Sequence, residues 1–113
     1  MHELSIAETI IDNVTNLAKS DGAVRVKNIT LVIGPLSGIV RDTMEFCWPV
    51  AIKKTFLEGC HLIVEEVPLI LHCKSCTQET TPDTIIMTCK ACGSSDVEII
   101  KGRELTLKNM EIE

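Results

Sequence analysis

Apolar positions between Leu4 and Ala18 recur at helical spacing. Leu4, Ala7, Ile10, Ile11, Val14, Leu17 and Ala18 share one face, while Glu8, Asp12, Asn13, Asn16 and Lys19 occupy the other. Glu3 and Glu8 near the start and Lys19 near the end suit the helix dipole, and Ser20-Asp21-Gly22 closes the helix. The period then changes to two. Ile29, Leu31 and Ile33 alternate with Thr30 and Val32, predicting a strand over 24–34. Gly34-Pro35-Leu36-Ser37-Gly38 reads as a loop. A second helix is predicted from Thr43 to Leu57. Asp42 and Glu45 are spaced as a capping box, and Met44, Cys47, Val50 and Ala51 would face inward. Pro49 interrupts it, because proline removes the hydrogen bond to Glu45, so a kink or restart is expected there.

Cys60 to Val67 reads as a second strand, with Pro68 at the end of a sheet. Leu69 to His72 leads into a cysteine-bearing stretch. Within it, Thr84 to Thr88 is expected as a short hairpin strand, and Val97 to Ile100 carries the chain out. Leu105, Leu107, Met110 and Ile112 form a last strand. Their inward phase slips by one residue, which calls for a bulge near Lys108-Asn109. The expected fold is α+β: two helices packed on a small three-stranded sheet, with an inserted zinc-ribbon-like module. Residues 1–67 plus 103–113 would make the α+β domain and residues 68–102 the zinc-binding module.

Composition narrows the functional classes. Hydrophobic residues are 45% of 113, enough for a core, but aromatic residues are only 3%, so that core is aliphatic. The net charge of −5 argues against nucleic acid, whose phosphates recruit clustered Lys and Arg. No apolar run approaches the ~18 residues of a membrane span, and no secretory signal pattern opens the chain. A cytoplasmic location is expected, and there paired cysteines serve as metal ligands more readily than as disulfides.

Those cysteines carry the strongest chemical signal. Cys73-Lys74-Ser75-Cys76 and Cys89-Lys90-Ala91-Cys92 are two Cys-x-x-Cys turns separated by twelve residues. Each turn aims two thiolates at one point, and together they offer the four sulfurs of a closed tetrahedral Zn²⁺ site. Gly93 fits the knuckle, which favours a backbone that a Cβ resists. Two disulfides, a redox pair or an iron centre are the alternatives, since soft S₄ sites accept zinc or iron. A closed site leaves no position for substrate, so this metal is scaffold and the function lies elsewhere. His72 beside Cys73 is a candidate to replace a thiolate. Cys47 and Cys60 read as buried small hydrophobes, and His61 as a surface or half-buried residue.

The chain opens Met1-His2-Glu3. The α-amine, the His2 backbone nitrogen and the His2 imidazole can close fused chelate rings on one ion, with Glu3 next in line. In-plane nitrogen ligation of that kind suits Ni(II) or Cu(II). A frayed terminus with a solvated histidine is the other reading. No Ser-His-Asp set, phosphate loop or paired-acid site is apparent, so there is no case for an enzyme.

The combination of Met1-His2-Glu3-Leu4-Ser5 opening a helix, Ile33-Gly34 ending a strand, Glu58-Gly59-Cys60, both cysteine pairs and a terminal Glu111-Ile112-Glu113 resembles the HypA/HybF family of nickel metallochaperones in [NiFe]-hydrogenase maturation. The resemblance covers essentially the whole chain. It implies Ni(II) at His2 and the Met1 amine, with the backbone nitrogens of His2 and Glu3 as further ligands. It implies a role for Glu3 in contact with a partner GTPase, and structural zinc on Cys73, Cys76, Cys89 and Cys92. Nickel would pass, together with a HypB-type GTPase, to the hydrogenase large-subunit precursor, and in some organisms to urease. A zinc-ribbon adaptor and a rubredoxin-like electron carrier are the competing readings; monomer and homodimer both remain open.

Overall fold

The computed structural model describes residues 2–113, and side chains from Glu3 onward. In chain order the elements are α1 (His2–Ser20), β1 (Val26–Ile33), α2 (Arg41–Ala51), β2 (His61–Glu66), β3 (Ile70–Cys73), β4 (Glu79–Thr80), β5 (Val97–Lys101) and β6 (Leu105–Ile112). They build two three-stranded sheets, β2-β1-β6 and β4-β3-β5. β1 and β2 run parallel with α2 as their crossover, and β6 returns antiparallel to β1. The fold is α+β, with both helices belonging to the first sheet.

The helix stripe is narrower than the apolar pattern. Ala7, Ile11, Val14 and Ala18 are buried, whereas Leu4 and Leu17 are 44% and 53% exposed. The buried four repeat at i, i+4, i+7 and i+11, a single line along the helix, and the two alanines let α1 sit close to its neighbours. They share one core with Ile29, Leu31 and Ile33 of β1. On β6 the pairing of Thr30 with Asn109 is followed by Leu31 with Leu107, which leaves Lys108 as the extra residue of a bulge. The expected phase slip is therefore present, and it keeps both Leu107 and Met110 packed against the core.

The second helix differs from expectation. It spans Arg41–Ala51 and does not reach Leu57. Pro49 lies inside it, two residues from its end, and the chain then runs through turns with Lys54 at φ 62°. Proline has removed a ladder bond near the end, so the helix stops where packing no longer supports it. The inward face is Met44 and Trp48; Val50 is 66% exposed. Trp48 Nε1–H donates to the Cys60 carbonyl at 3.0 Å, which joins α2 to the start of β2. The Asp42–Glu45 capping box does not form. The N-cap is Val40, with no side-chain cap of its own, and Glu45 pairs with Arg41 at 3.6 Å.

Thr84 to Thr88 is not a strand. The third strand of the second sheet is β4, and the stretch after it is bends with Ile85 and Ile86 exposed. The described molecule extends 53 × 28 × 16 Å with a radius of gyration of 17.4 Å, against about 13 Å for a compact chain of this length. The large core cluster contains no residue of 68–102; that stretch buries Leu69, Leu71, Cys73 and Cys89 instead.

The sheets meet at a backbone junction. Val67 N–H donates to Ile33 O at 2.9 Å, Gly34 N–H to Glu104 O at 2.9 Å, and Leu36 N–H to Gly102 O at 2.7 Å. Gly102 N–H in turn reaches Glu104 Oε1 at 2.7 Å. The end of β1 thus holds both the outgoing and the returning strand of the second sheet.

Candidate metal centre

Cys73 is the last residue of β3, and Cys76 follows on the turn it begins. Thr77 N–H closes that turn on Cys73 O at 2.8 Å, and Cys73 N–H reaches Gln78 O at 2.9 Å. The second turn repeats this frame: Gly93 N–H donates to Cys89 O at 2.7 Å and Cys89 N–H to Ser94 O at 2.7 Å. The residue after each second cysteine has a left-handed backbone, Thr77 at φ 66° and Gly93 at φ 79°. Glycine adopts that conformation freely and threonine does so under strain, so the first knuckle is held by its hydrogen bonds. Ser75 and Ser94 hydroxyls meet at 3.0 Å across the two turns.

The knuckles bring the four thiols together. The sulfurs of Cys73, Cys76, Cys89 and Cys92 all lie within 4.8 Å of one another. The Cys73–Cys92 and Cys76–Cys89 sulfur distances are each 3.6 Å. A tetrahedron with Zn–S near 2.3 Å has sulfur–sulfur edges of about 3.8 Å, so the cluster fits one such ion. Both separations exceed the roughly 2.05 Å of a disulfide bond, and the structure holds all six cysteines free. Cys73 and Cys89 are buried, Cys76 is half-buried and Cys92 is exposed.

Their proton affinities split. The Cys76 backbone N–H points at Cys73 Sγ, at 3.4 Å, and helps bring that thiol down to about 6. Cys89 is also held low, first by the Cys92 backbone N–H. For Cys92 the Ser94 N–H pulls downward, but Cys73, burial and the other two thiols outweigh it and push the group up to about 12. Cys76 is likewise raised: the Gln78 N–H lowers it, but burial and the Cys89 and Cys73 sulfurs prevail. Four negative sulfurs this close repel one another, and a divalent cation removes the conflict while displacing the remaining protons.

The amine of Met1 and the imidazole of His2 lie outside the described residues. The His2 backbone begins α1. Glu3, one residue on, is only 7% exposed, and its Oε2 accepts the N–H of Val40 at 3.1 Å. Val40 is the N-cap of α2, so a carboxylate of one helix caps the other. Its partner is the N–H that the N3 glutamate of a capping box takes, supplied here from 37 residues away.

The family profile described as hydrogenase/urease nickel incorporation, metallochaperone, HypA, matches residues 1–112. A hydrogenase maturation factor HypA of Geobacter metallireducens is 39% identical over 113 residues, covering all of both chains. One from Rippkaea orientalis is 42% identical and covers all of this chain and 96% of its own. The chain belongs to the HypA family. That family consists of maturation factors and metallochaperones rather than enzymes. Two solved structures share the fold. The nickel metallochaperone HypA of Helicobacter pylori has a TM-score of 0.69 at 21% identity, over 97% of this chain and 96% of that one. A second HypA solution structure has a TM-score of 0.73 at 23% identity, over 100% and 97%. Among the described residues no helix is long and apolar enough to cross a membrane.

The other candidates of this HypA-family chain fall into place around the tetrad. His72 is half-buried on β3, between Glu79 of β4 and Glu98 of β5, and is not among the converging ligands. Cys60 is buried, as expected, whereas Cys47 is half-buried; His61 is exposed. The Glu3–Val40 bond and the Thr77 conformation were not anticipated. A threonine gives no local sign of positive φ, and no pattern links residues 3 and 40.

Proposed function

We propose that this protein is a nickel metallochaperone that takes Ni(II) at its N-terminus and delivers it for [NiFe]-hydrogenase maturation, with urease as a second client class. The reading is carried by the family profile, which begins at Met1 and runs through residue 112. The Met1 amine, the His2 backbone nitrogen and the His2 imidazole bind the ion in a plane, with the Glu3 backbone nitrogen as a further ligand. Few protein ligands at a helix start leave positions that a recipient can take over, which permits release as well as capture. Copper outranks nickel in raw affinity for such ligands, so selectivity rests on metal supply and on partner recognition.

Zinc on Cys73, Cys76, Cys89 and Cys92 is the scaffold of residues 68–102, while residues 1–67 with 103–113 handle nickel. Bound zinc neutralises the thiolates and ties the two knuckles together, worth on the order of 10 kcal/mol in small zinc peptides. Delivery proceeds in the cytoplasm with a HypB-type GTPase to the hydrogenase large-subunit precursor. Because the Glu3 side chain faces inward, its influence on the GTPase acts through the shape of the terminus. The protein works as a monomer or homodimer.

Calorimetric titration of Ni(II) into zinc-loaded protein tests the site. About one nickel is expected, lost both in His2→Ala and when one Gly precedes Met1. Equal binding in all three proteins removes His2 from the site and leaves the tetrad or the other histidines as the metal contacts.

A further inference from the structure

We propose that the N-terminal segment of α2 is part of the support of the nickel site: the Val40 N–H holds the Glu3 carboxylate, and this bond fixes the first turn of α1 that carries the nickel ligands. The inference rests on nickel binding at Met1 and His2.

Three observations bear on it. Glu3 is one of two buried polar or charged residues among those described, at 7% exposure, although it sits in the first turn of a helix. First turns normally fray, because their N–H groups lack partners within the helix. Here the carboxylate reaches a backbone donor at 3.1 Å on a different element. Val40 in turn has no local cap, so the same bond starts α2. The donor is itself held in place. Ile39 is buried in the main core, its N–H bonds to Ser37 Oγ at 3.2 Å, and Met44 N–H closes the first turn of α2 on Val40 O at 3.0 Å.

The consequence for metal binding is geometric. Chelation of one ion by successive backbone nitrogens needs a defined conformation at the chain start, and α1, which begins at His2, must stay fixed beneath it. A carboxylate anchored at residue 3 supplies the fixed point. Glu3 is then a positioning residue that contacts no metal through its side chain, and Val40 acts through it. Partners that orient metal ligands in this way typically change affinity by about 10- to 100-fold when lost.

Val40→Pro isolates the effect. It deletes the one N–H in question, its side chain is 58% exposed, and φ −94° lies near the range proline accepts. Nickel titrations would compare the wild type with Val40→Pro, Glu3→Ala and Glu3→Gln, each zinc-loaded, with the visible ligand-field spectrum of bound nickel recorded. Val40→Pro and Glu3→Ala are expected to weaken nickel about 10- to 100-fold and alter the spectrum. Glu3→Gln retains an acceptor and falls between them and the wild type. Val14→Ala, a cavity in the middle of α1, lowers stability without touching this bond and is expected to leave nickel affinity within about twofold. Wild-type affinity and spectrum in both Val40→Pro and Glu3→Ala overturn the inference while leaving the nickel site intact. So does an equal loss in Val14→Ala, which would make the effect one of stability alone. A wild type that binds no nickel overturns the inference and the parent reading together.

Discussion

Replacing Gly34 with alanine places a methyl group in the junction between the sheets. Its Cβ would lie 2.2 Å from Gly102 O, 2.3 Å from Gly102 C and 2.8 Å from Gly102 Cα. Comfortable contacts between such atoms need about 3.5 Å, so the two backbones must part by more than 1 Å. Neither is free to do so. Gly34 N–H is bonded to Glu104 O at 2.9 Å, and Leu36 N–H to Gly102 O at 2.7 Å. Gly102 also lies close to Leu69, so that a Cβ added there would come within 2.9 Å of the Leu69 side chain. Parting the strands breaks both bonds, at about 1 kcal/mol each, and adds about 1–3 kcal/mol of overpacking. The expected loss is about 3–5 kcal/mol, or roughly 10–20 °C in melting temperature for a chain of this size.

Gly22→Ala is the matched control. Gly22 has φ +78° with nothing within 4 Å of an added Cβ, so the same chemical change costs only the left-handed strain of about 1–2 kcal/mol. Urea denaturation of zinc-loaded protein, followed by Trp48 emission and by helical circular dichroism, measures both. A Gly34→Ala loss no larger than that of Gly22→Ala would refute the claim that the junction is rigid backbone against rigid backbone.

Trp48→Phe keeps most of the buried ring but leaves the Cys60 carbonyl without its 3.0 Å donor; a loss of about 1–2 kcal/mol is expected by the same urea assay. Burial pushes the Cys60 thiol up to about 11 from an ordinary ~8.5, so the unfolded chain ionises first. Its contribution is therefore fully present below about pH 8.5 and lost as pH rises toward 11, and the stability difference between wild type and Cys60→Ala should shrink over that window in alkaline melts. Chelating the tetrad metal is expected to abolish amide-exchange protection in β3 and β5 while α1 and β1 keep theirs. The main core holds no residue of 68–102, and four buried side chains are too few to fold that stretch alone.

Periodic features were readable in the chain and non-local ones were not. Ala7, Ile11, Val14 and Ala18 announce α1 because one helix face meets a core, and the slip from Leu107 to Met110 reveals the bulge because strand faces alternate strictly. The cysteine tetrad was legible because two knuckles need only local spacing to face each other. The second helix misled for a physical reason. Asp42 and Glu45 have the spacing of a cap, but a buried carboxylate from Glu3 takes the N-cap donor, and no pattern within 40–57 records that. The Thr84–Thr88 strand failed similarly: its apolar residues fit a strand, yet the partner position beside β3 is taken by Glu79–Thr80.

The segment from Gly34 to Val40 links the cysteine-bearing stretch to the start of α1. At one end Gly34 and Leu36 bond to the chain returning from the cysteine-bearing stretch; at the other Val40 bonds to Glu3 at the start of α1. Between them Ile39 is sunk in the core and Ser37 ties back to its amide. The outgoing strand offers a second link, since Val67 N–H is bonded to Ile33 O immediately before Gly34. Both routes from the tetrad to the start of α1, where nickel binding is proposed, therefore pass the same end of β1. Continuity of packing is not by itself coupling, which requires that both sites bias one shared element between two arrangements. The element here is the 34–40 segment, and a double-mutant cycle of Gly34→Ala with Val40→Pro measures it. If the segment moves as a unit, the two nickel-affinity losses are less than additive, because either change already releases Glu3. Independent, fully additive losses would mean that the junction and the Glu3 anchor act separately, and that zinc only holds its own sheet together.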